Sequence, residues 1–459
     1  MIMDLKDKMK VLQINCTDAE FEDFISRTIN KLWNEYENDC MDERIIIKNK
    51  IESLSISIPN GTVGKAYQAT FAIPRDLVED YWIEGVGEAG LSYEIGEDSA
   101  CTIVGVPEVA GSFNLELAYK YKGWVDGKPI LYRPFPITIN PDPKSLWKNI
   151  PTPKDTEYYQ PDMDSVYVKV ETTKGVPQKD MVAASQRGRS HAHEGRPRDD
   201  HFRVGYLEDS GWYIMAVADG AGSAKYSRKG SCIACDTSVE HCKSFFSDDK
   251  SLHDFEEYIT TYKNESRVEY QKMMTDEIYK LVGNAAFKSY KAIETEADAK
   301  RVPAKCFATT LLLAVCKKFS FGWFVASFWV GDGAMCIYDK ERKYFKLLGV
   351  PDEGEFSGQT RFLTMPEIFK DAASIYSRLR FSIEQDFTAL MLMTDGVSDP
   401  MFETDANLNK LEKWDALWEN ITGEVELTDD NAESQYQLLK WLEFWSQGNH
   451  DDRTIAILY

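Results

Sequence analysis

"YIMAVADGAGSAKYS", residues 213–227, contains an apolar run of strand length that stops at Asp219, with glycines at 220 and 222. Asp-Gly is a common turn dipeptide, so a hairpin is the simplest interpretation of this stretch alone. A carboxylate at the end of a buried strand is costly unless a partner neutralises its charge. The glycines let the backbone approach closely, so a main-chain carbonyl can join the carboxylate as a ligand. The stretch therefore indicates either a turn or one edge of a cation site.

Three more apolar β runs carry an Asp beside small residues, in "FWVGDGAM", "LMLMTDGVSD" and "GNHDDRTIAILY", and "RPRDDHFRV" places an acidic pair before a strand. The acidic positions in these motifs are Asp332, Asp395, Asp399, Asp451, Asp452, Asp199 and Asp200. Carboxylates gathered at the ends of adjacent strands repel one another unless cations neutralise them. Mg²⁺ and Mn²⁺ take such oxygen ligands, and two ions about 4 Å apart activate a water and clamp a phosphate. The motifs together predict a two-metal site.

The totals indicate a soluble cytoplasmic protein of two or three domains. The 459 residues include 75 Asp and Glu against 53 Lys and Arg. The resulting net charge of −22 excludes nucleic acid and anionic membrane surfaces as expected partners. Nine cysteines, an odd number, argue against a disulfide framework and for a reducing compartment. The N-terminus shows no signal-peptide pattern, and the longest apolar runs are too short to span a bilayer.

The first 140 residues predict a helix followed by a small β domain. Residues 17–39 place their apolar side chains on one helical face behind a capping box of Thr17 and Glu20. That face is expected to pack against another domain or subunit. From 45 to 140, apolar residues alternate with polar ones, starting at positions 54, 56 and 58. These runs resemble the immunoglobulin-like domains of many bacterial proteins, which implies a small all-β sandwich that serves either as a spacer or as a module that binds a protein partner.

The rest of the chain mixes strand and helix patterns. The predicted strands are 202–207, 212–218, 308–316, 322–331, 334–339, 387–394 and 453–459. The predicted helices are 226–246, a long stretch within 252–297, and 430–446. The predicted domains are an N-terminal helical segment (1–42), the immunoglobulin-like β-sandwich (43–140), a Pro-rich linker (141–163) and a catalytic domain (164–459).

In chain order, the motifs of the last domain resemble those of the protein phosphatase 2C family of metal-dependent Ser/Thr phosphatases. The matching pieces are "RDDHF", "VADGAGS", "FATTLLLAV", "WVGDGAMCIY", "TDGVSD" and "HDDRTIAIL". The resemblance implies an α+β fold, a four-layer α-β-β-α sandwich with metals in a cleft between the sheets. It also implies hydrolysis of a phosphorylated protein by direct attack of a water or hydroxide held between two Mg²⁺ or Mn²⁺ ions. A kinase, or the targets of one, is the implied partner.

The resemblance assigns most of the acidic residues to metal ions. Asp219 would bridge both ions and Gly220 would offer its carbonyl, while Asp395 and Asp451 complete the shell of one ion. Asp199 occupies the family's acidic position on the other ion. Asp219, Asp395 and Asp451 are therefore the predicted catalytic residues.

Further positions complete the site that the resemblance implies. Asp200 lies beside Asp199 and is included among the metal ligands. Asp332 and Asp399 match a third, weaker metal position. The threonine pair at 309–310 matches a small polar pair that is structural in the family. Asp452 is expected to orient the loop that carries its neighbour Asp451.

The chain departs from the family pattern at two positions. Many eukaryotic members have a His, usually assigned as general acid, where this chain has Ala221. The family's phosphate-binding Arg usually lies where this chain has Gly195. His191, Arg196 and Arg198 are the candidates to bind the phosphate instead, and Arg suits the role because its planar fork binds two oxygens at once.

Two other classes of function stay open on the sequence. Ala221 and Gly195 are compatible with a pseudo-phosphatase or a phosphoprotein-binding regulatory module, although degenerate members normally lose metal-binding carboxylates that are present here. The β domain allows an adhesin-like structural protein, which the cysteine count opposes. Cys232, Cys235 and Cys242 share one face of a predicted helix, so they are interpreted as buried thiols and not as zinc ligands.

Overall fold

The computed structural model describes residues 17–40, 43–97, 99–171, 178–265, 268–352 and 360–459. It forms two compact units, one ending at Leu146 and one beginning at Trp147. This boundary lies inside the predicted Pro-rich linker. Residues that follow it pack on the second unit, where the Ile150 N–H donates to the Ala192 carbonyl (2.8 Å). The later part of the predicted linker therefore belongs to the larger unit.

In its described residues the first unit contains two helices and seven strands. The helices are α1 (Asp18–Cys40) and α2 (Glu43–Ser53). The strands are β1 (Gly61–Thr62), β2 (Tyr67–Ala72), β3 (Val78–Glu84), β4 (Leu91–Ile95), β5 (Ala100–Gly105), β6 (Gly111–Tyr121) and β7 (Leu131–Asn140). They form a four-stranded sheet, β1-β7-β6-β3, and a three-stranded sheet, β2-β5-β4, around a core that includes Ile103, Leu115 and Ile137. The predicted β-rich region is confirmed, and its immunoglobulin-like assignment stays a prediction.

Helix α1 begins with the predicted capping box. The Glu20 N–H donates to the Thr17 hydroxyl (3.3 Å), and the Thr17 N–H donates to the Glu20 carboxylate (2.9 Å). Phe21 is buried, whereas Leu32 and Trp33 are each 59% exposed. The predicted apolar face therefore exists, and much of it lies on the surface of the described structure.

Helix α2 occupies part of the region where the sequence predicts only β structure. Ile47 and Ile51, one helical turn apart, are buried in the core of the first unit. Arg133 donates to the carbonyls of Ile51 and Leu54 at the end of the helix. The strand predicted from the alternation at 54–58 is wrong, because these described residues lie in no strand. The β-branched isoleucines of α2 hide the helical period from the sequence pattern.

The described residues of the second unit contain eleven strands in two antiparallel sheets. The strands are β8 (Met163–Val168), β9 (Met181–Gln186), β10 (His201–Leu207), β11 (Trp212–Ala218), β12 (Leu311–Phe319), β13 (Gly322–Val330), β14 (Ala334–Asp339), β15 (Tyr344–Leu347), β16 (Leu379–Glu384), β17 (Ala389–Met393) and β18 (Arg453–Leu458). One sheet has the order β10-β11-β12-β13-β16, and the other β15-β14-β17-β18-β9-β8. The two inner faces form one apolar cluster, which includes Val217, Val325, Leu390 and Ala456.

Helices cover both outer faces of this pair of sheets. The helices in the described part of the second unit are α3 (Arg189–Glu194), α4 (Ser227–Phe246), α5 (Asp249–Glu265), α6 (Val268–Ile278), α7 (Asn284–Lys300), α8 (Ala372–Tyr376), α9 (Asp395–Phe402), α10 (Leu411–Thr422) and α11 (Ser434–Trp441). Helices α4 to α7 pack on the first sheet, and α9 to α11 pack on the second. The predicted four-layer α-β-β-α sandwich, and with it the α+β fold class, is confirmed. In the described part of the chain, no helix has both the length and the apolar character needed to cross a bilayer.

Most of the elements predicted for the second unit are present. The predicted strands agree with the observed ones to within three residues. The helical stretch predicted within 252–297 is divided into α5, α6 and α7, with a π-helical turn at Tyr279–Gly283. Cys235 and Cys242 are buried on α4 as predicted, whereas Cys232 is only partly buried. Helices α9 and α10 and strands β8, β9, β15 and β16 are not predicted from the pattern.

The strand register brings the acidic positions to one edge of the sandwich. His201 of β10 pairs with Ala218 of β11, which places the residues next to them, Asp200 and Asp219, side by side. Strands β17 and β18 are antiparallel, so the end of one meets the start of the other. Asp451, which precedes β18, therefore reaches the same edge as the carboxylates that follow strands.

Candidate metal centre

Asp219 directly follows β11, and two threonines fix its backbone. Its N–H donates to the Thr310 hydroxyl, and its carbonyl accepts from the Thr310 N–H and the Thr309 hydroxyl, each at 2.8 Å. Gly220 is buried beside it, and a Cβ there would lie 2.5 Å from the Asp199 carbonyl oxygen. This close approach requires glycine. The threonine pair thus has the structural role that the sequence predicts.

Three carboxylates from different elements meet at this edge. One oxygen from each of Asp219, Asp332 and Asp395 lies within 4.8 Å of the other two. Asp332 follows β13, whereas Asp395 is the first residue of α9. Asp399 lies one turn further along α9, and the spacing i,i+4 places it on the same helical face as Asp395. The structure therefore brings together carboxylates that are far apart in the sequence.

Several acidic side chains here have a buried oxygen with no hydrogen-bond donor among the described residues. These atoms are Oδ2 of Asp199, Oδ1 of Asp200 and Oδ1 of Asp332. The other oxygen of Asp200 accepts from the Thr394 and Thr454 hydroxyls, at 2.9 and 2.7 Å. An unsatisfied buried oxygen is unfavourable, and bound cations are one way in which proteins satisfy it. The atoms left without donors thus fit a cation site.

The clustered carboxylates also raise one another's pKa. Burial, and then the charges of Asp395 and Asp200, raise the pKa of Asp219 well above its usual range. Burial and Asp332 do the same for the pKa of Asp395. Burial is the main cause that raises the pKa of Asp200 to about 7 and that of Asp399 to about 6. Negative charge held together in this way, on oxygen donors only, suits Mg²⁺ or Mn²⁺.

Asp451 and Asp452 have different environments although they are neighbours in the sequence. Asp451 lines a cleft of about 390 Å³ together with Asp395. Asp452 is buried, and its two oxygens accept from the N–H groups of Gly188 and Asp199, each at 2.6 Å. Asp452 therefore ties the segment before β10 to the start of β18, which supports its predicted orienting role.

His191 lies between Asp452 and Asp199. Its Nδ1 is 3.1 Å from both oxygens of Asp452, and its Nε2 is 3.8 Å from an oxygen of Asp199. Burial, the largest single influence, lowers the pKa of His191, but the charge and hydrogen bond of Asp452 together with the charge of Asp199 outweigh it and raise that pKa to about 9. Burial alone would raise the pKa of Asp452, yet His191 and the N–H donors lower it. The pair is therefore a buried ion pair at neutral pH, and His191 is only 4% exposed.

Three arginines lie near this segment. Arg196, whose side chain is 40% exposed, donates through Nη2 to the Gly222 carbonyl (2.9 Å) and lies 3.5 Å from an oxygen of Asp199. Arg228, which the sequence analysis missed, has its Nη1 3.3 Å from the other Asp199 oxygen. Arg198 is fully buried and donates to a carbonyl of β9. Of the three predicted phosphate ligands, Arg196 alone has a substantially exposed side chain.

Ala221, the position at which the sequence departs from the expected His, is covered by neighbouring residues. Its N–H donates to the Ala308 carbonyl (3.0 Å), and its side chain clusters with those of Ala308 and Phe362. Two residues before Phe362, the Thr360 hydroxyl donates to the Asp332 carboxylate. The chain beyond β15 therefore returns to the edge of the sandwich that holds Asp219, Asp332 and Asp395, here called the acidic edge, and contacts it.

Comparison with known families agrees with this architecture. The family model described as Protein phosphatase 2C matches residues 187–443, which is more than half of the chain. The chain belongs to the protein phosphatase 2C family. No curated protein matches it.

Several solved structures are similar to the chain at low identity. A sex determining protein from C. elegans is 14% identical, with 61% of this chain and 65% of that one covered and a TM-score of 0.36. PppA, a regulatory component of T6SS in Pseudomonas aeruginosa, is 11% identical, with 64% and 99% covered and a TM-score of 0.36. The serine/threonine phosphatase PstP/Ppp of Mycobacterium tuberculosis is 13% identical, with 61% and 98% covered and a TM-score of 0.36. The chain thus spans less than two thirds of the first of these proteins.

Proposed function

We propose that this protein is a metal-dependent protein serine/threonine phosphatase. The observation that supports the proposal most directly is the meeting of Asp219, Asp332 and Asp395 within 4.8 Å. Family membership supplies the reaction class, hydrolysis of a phosphomonoester. The proposed substrate is a phosphorylated protein in the cytoplasm, and a kinase that phosphorylates it is the proposed functional partner.

Two Mg²⁺ or Mn²⁺ ions, and a third bound more weakly, are the proposed cofactors. The residues proposed to hold them are Asp199, Asp200, Asp219, Gly220, Asp332, Asp395, Asp399 and Asp451. Such ions supply an activated water at neutral pH and neutralise charge on the phosphoryl oxygens. Asp219, Asp395 and Asp451 are the proposed catalytic residues, because the principal ions depend on them.

The side chains around the acidic edge are proposed to bind and orient the phosphoryl group. Arg196 is the proposed phosphate ligand. Its partly exposed guanidinium lies beside Gly222 and can bind two oxygens. His191 and Arg228 hold Asp199 in place through charge. Ala221 offers no proton, so we propose that the leaving-group oxygen takes its proton from water in the cleft.

Metal removal is expected to abolish activity. In excess chelator, the full chain should hydrolyse p-nitrophenyl phosphate at less than about 1% of the rate measured with Mn²⁺ restored, because in the proposed reaction the bound ions activate the water. Restoring Mn²⁺ should also raise Tm, since the ions bind the folded acidic cluster and not the unfolded chain. Unchanged hydrolysis in chelator would refute the proposal. Tight binding of a phosphopeptide without turnover at saturating Mn²⁺ would identify a phosphoprotein-binding module instead.

Arg196→Ala is expected to lower kcat/KM for a phosphoserine peptide by roughly 10–100-fold, because charged hydrogen bonds to the phosphoryl group are lost. Its Tm should stay close to that of the wild type, since the side chain is partly exposed. Arg198→Ala is the matched comparison, and it should lose about 2–4 kcal/mol of unfolding free energy because the residue is buried. For each variant, steady-state kinetics measure kcat/KM and urea unfolding measures the free energy of unfolding. A stable Arg198→Ala variant with impaired phosphate binding would move the phosphate site to Arg198.

A further inference from the structure

A cavity of about 330 Å³ in the second unit is lined by more basic than acidic side chains. The charged residues that line it are Lys148, Arg187, Arg189, Arg453, Asp162 and Glu443. Arg187 and Asp162 neutralise each other, because Nη2 lies 3.1 Å from a carboxylate oxygen. Glu443 is exposed to solvent. Within the described part of the chain, Arg189 and Arg453 have no carboxylate partner of this kind, and their guanidinium groups lie over the rings of Trp445 and Phe444, 5.2 and 3.8 Å from the ring centroids.

Arg189 and Arg453 hydrogen-bond to neutral acceptors. Arg453 donates through Nη1 to the Leu442 and Phe444 carbonyls, and Arg189 donates through Nη2 to the Glu443 carbonyl (2.9 Å). Among the described residues, no carboxylate lies within 4.0 Å of a nitrogen of either guanidinium. Both Nε atoms are buried and have no hydrogen-bond partner there. These two atoms have almost no accessible surface, so the Nη groups are the donors that a ligand in the cavity would meet.

Two cations near each other are unfavourable unless an anion compensates for them. Arg453 is 4% exposed, whereas Arg189 is partly exposed. An anion that contacts the Nη groups of both side chains would neutralise both charges. The planar guanidinium fork matches the oxygens of a phosphate. Since a water needs about 30 Å³, the cavity has room for a phosphoryl group and part of a molecule that carries it.

The cavity adjoins the cleft of the metal centre. Trp147 lines both, with its ring 4.3 Å from that of His450 and 5.4 Å from that of His193. Gly188, whose N–H donates to Asp452, also lines the cavity. A ligand bound there would therefore touch the segment that joins the cavity to the acidic edge.

We propose that this cavity is a second binding site, which holds a phosphate-class oxyanion between Arg189 and Arg453. The oxyanion comes either from free inorganic phosphate or from a second phosphoryl group on the phosphoprotein substrate, and the latter source rests on the proposed function. The site differs from the metal centre in that guanidinium groups, and not cations held by carboxylates, bind the oxygens.

Calorimetric titration of inorganic phosphate into the full chain carrying Asp219→Asn, in excess chelator, measures this site apart from turnover and metal-bound phosphate. The chain that carries Arg189→Gln in addition to Asp219→Asn is expected to bind phosphate at least tenfold more weakly than the chain with Asp219→Asn alone. Arg203→Gln, at an exposed arginine, is the matched control and should leave the affinity unchanged. Arg453→Gln should act like Arg189→Gln once thermal unfolding shows that it folds, and Arg189→Gln decides the test if it does not.

Two results would overturn the proposal. One is no measurable phosphate binding in the Asp219→Asn chain. The other is phosphate binding that Arg196→Ala removes and Arg189→Gln leaves intact, since that pattern places the phosphate at the metal centre. Because the chain tested is inactive and free of metal, neither result depends on whether the protein is a phosphatase.

Peptides with one or two phosphoserines separate the two sources of the oxyanion. If the doubly phosphorylated peptide binds at least tenfold more tightly, and Arg189→Gln removes the difference, the second phosphoryl group of the substrate is the ligand. If both peptides bind equally while inorganic phosphate still binds through Arg189, free phosphate is the ligand. Either pattern supports the oxyanion site.

Discussion

An Asp219→Asn variant is expected to lose phosphatase activity by a factor on the order of 10³ or more. Asp219 meets Asp332 and Asp395 at the acidic edge, and a neutral amide does not supply the charge that holds divalent cations. The measurement is kcat/KM for a phosphoserine peptide at saturating Mn²⁺. Asp209→Asn, at an exposed aspartate between β10 and β11, is the matched control and should keep wild-type activity. A variant at Asp219 that retained most of its activity would exclude this carboxylate from the catalytic set.

The same variant should be more stable than the wild type when metal is absent. Folding raises the pKa of Asp219, and a carboxyl group with a raised folded pKa destabilises the folded state at any pH above its unfolded pKa, including neutral pH. Removing the charge should raise the free energy of unfolding by about 1–3 kcal/mol in excess chelator. Mn²⁺ should stabilise the wild type more than the variant. Urea unfolding at pH 7 with and without Mn²⁺ checks both differences.

Asp452→Ala is expected to destabilise the folded protein by about 3–5 kcal/mol. The N–H groups of Gly188 and Asp199 and the charged ring of His191 would all lose their acceptor inside the protein. Asp451→Ala is the matched comparison, because this neighbour faces the cleft. It should lose metal-dependent activity while its unfolding free energy in chelator changes by less than about 1 kcal/mol. Urea unfolding of both variants in chelator distinguishes the two roles.

Two outcomes of the urea unfolding experiment would contradict the roles given to Asp452 and Asp451. If Asp452→Ala unfolds at the wild-type urea concentration, the three hydrogen bonds and the ion pair contribute little, and the segment before β10 is held by other contacts. If Asp451→Ala is destabilised as strongly as Asp452→Ala, the two aspartates share a structural role and the assignment of Asp451 to the metal ions loses support.

The acidic edge was predictable because its sequence signal is local. At Asp219 and Asp332 an apolar run of strand length stops, and glycines beside the Asp mark the close backbone approach seen in the structure. That these distant positions meet depends on strand order and register, which spacing alone does not determine. The motifs follow one another in the same order as in a known family, and this resemblance predicted that the carboxylates meet.

The contacts that the sequence analysis missed depend on packing between distant elements. Arg228 is one of several charged residues near the start of α4, and nothing beside it in the sequence distinguishes it until α4 packs next to Asp199. Helix α9 contains a glycine and a proline, which disfavour a helix. The burial of Val397 and Phe402 against the second sheet overrides that local preference. In both cases tertiary structure decides, and the sequence pattern contains no signal of it.

The covered methyl group of Ala221 has an evolutionary consequence. A histidine at this position would have to displace Phe362 or Ala308, which now fill the space. Gaining a side-chain proton donor there therefore requires coordinated substitutions at two or more sites, of which the first alone would disturb packing without improving catalysis. A proton donor elsewhere in the cleft would not need this repacking, so we expect single substitutions to add one there more readily than at position 221.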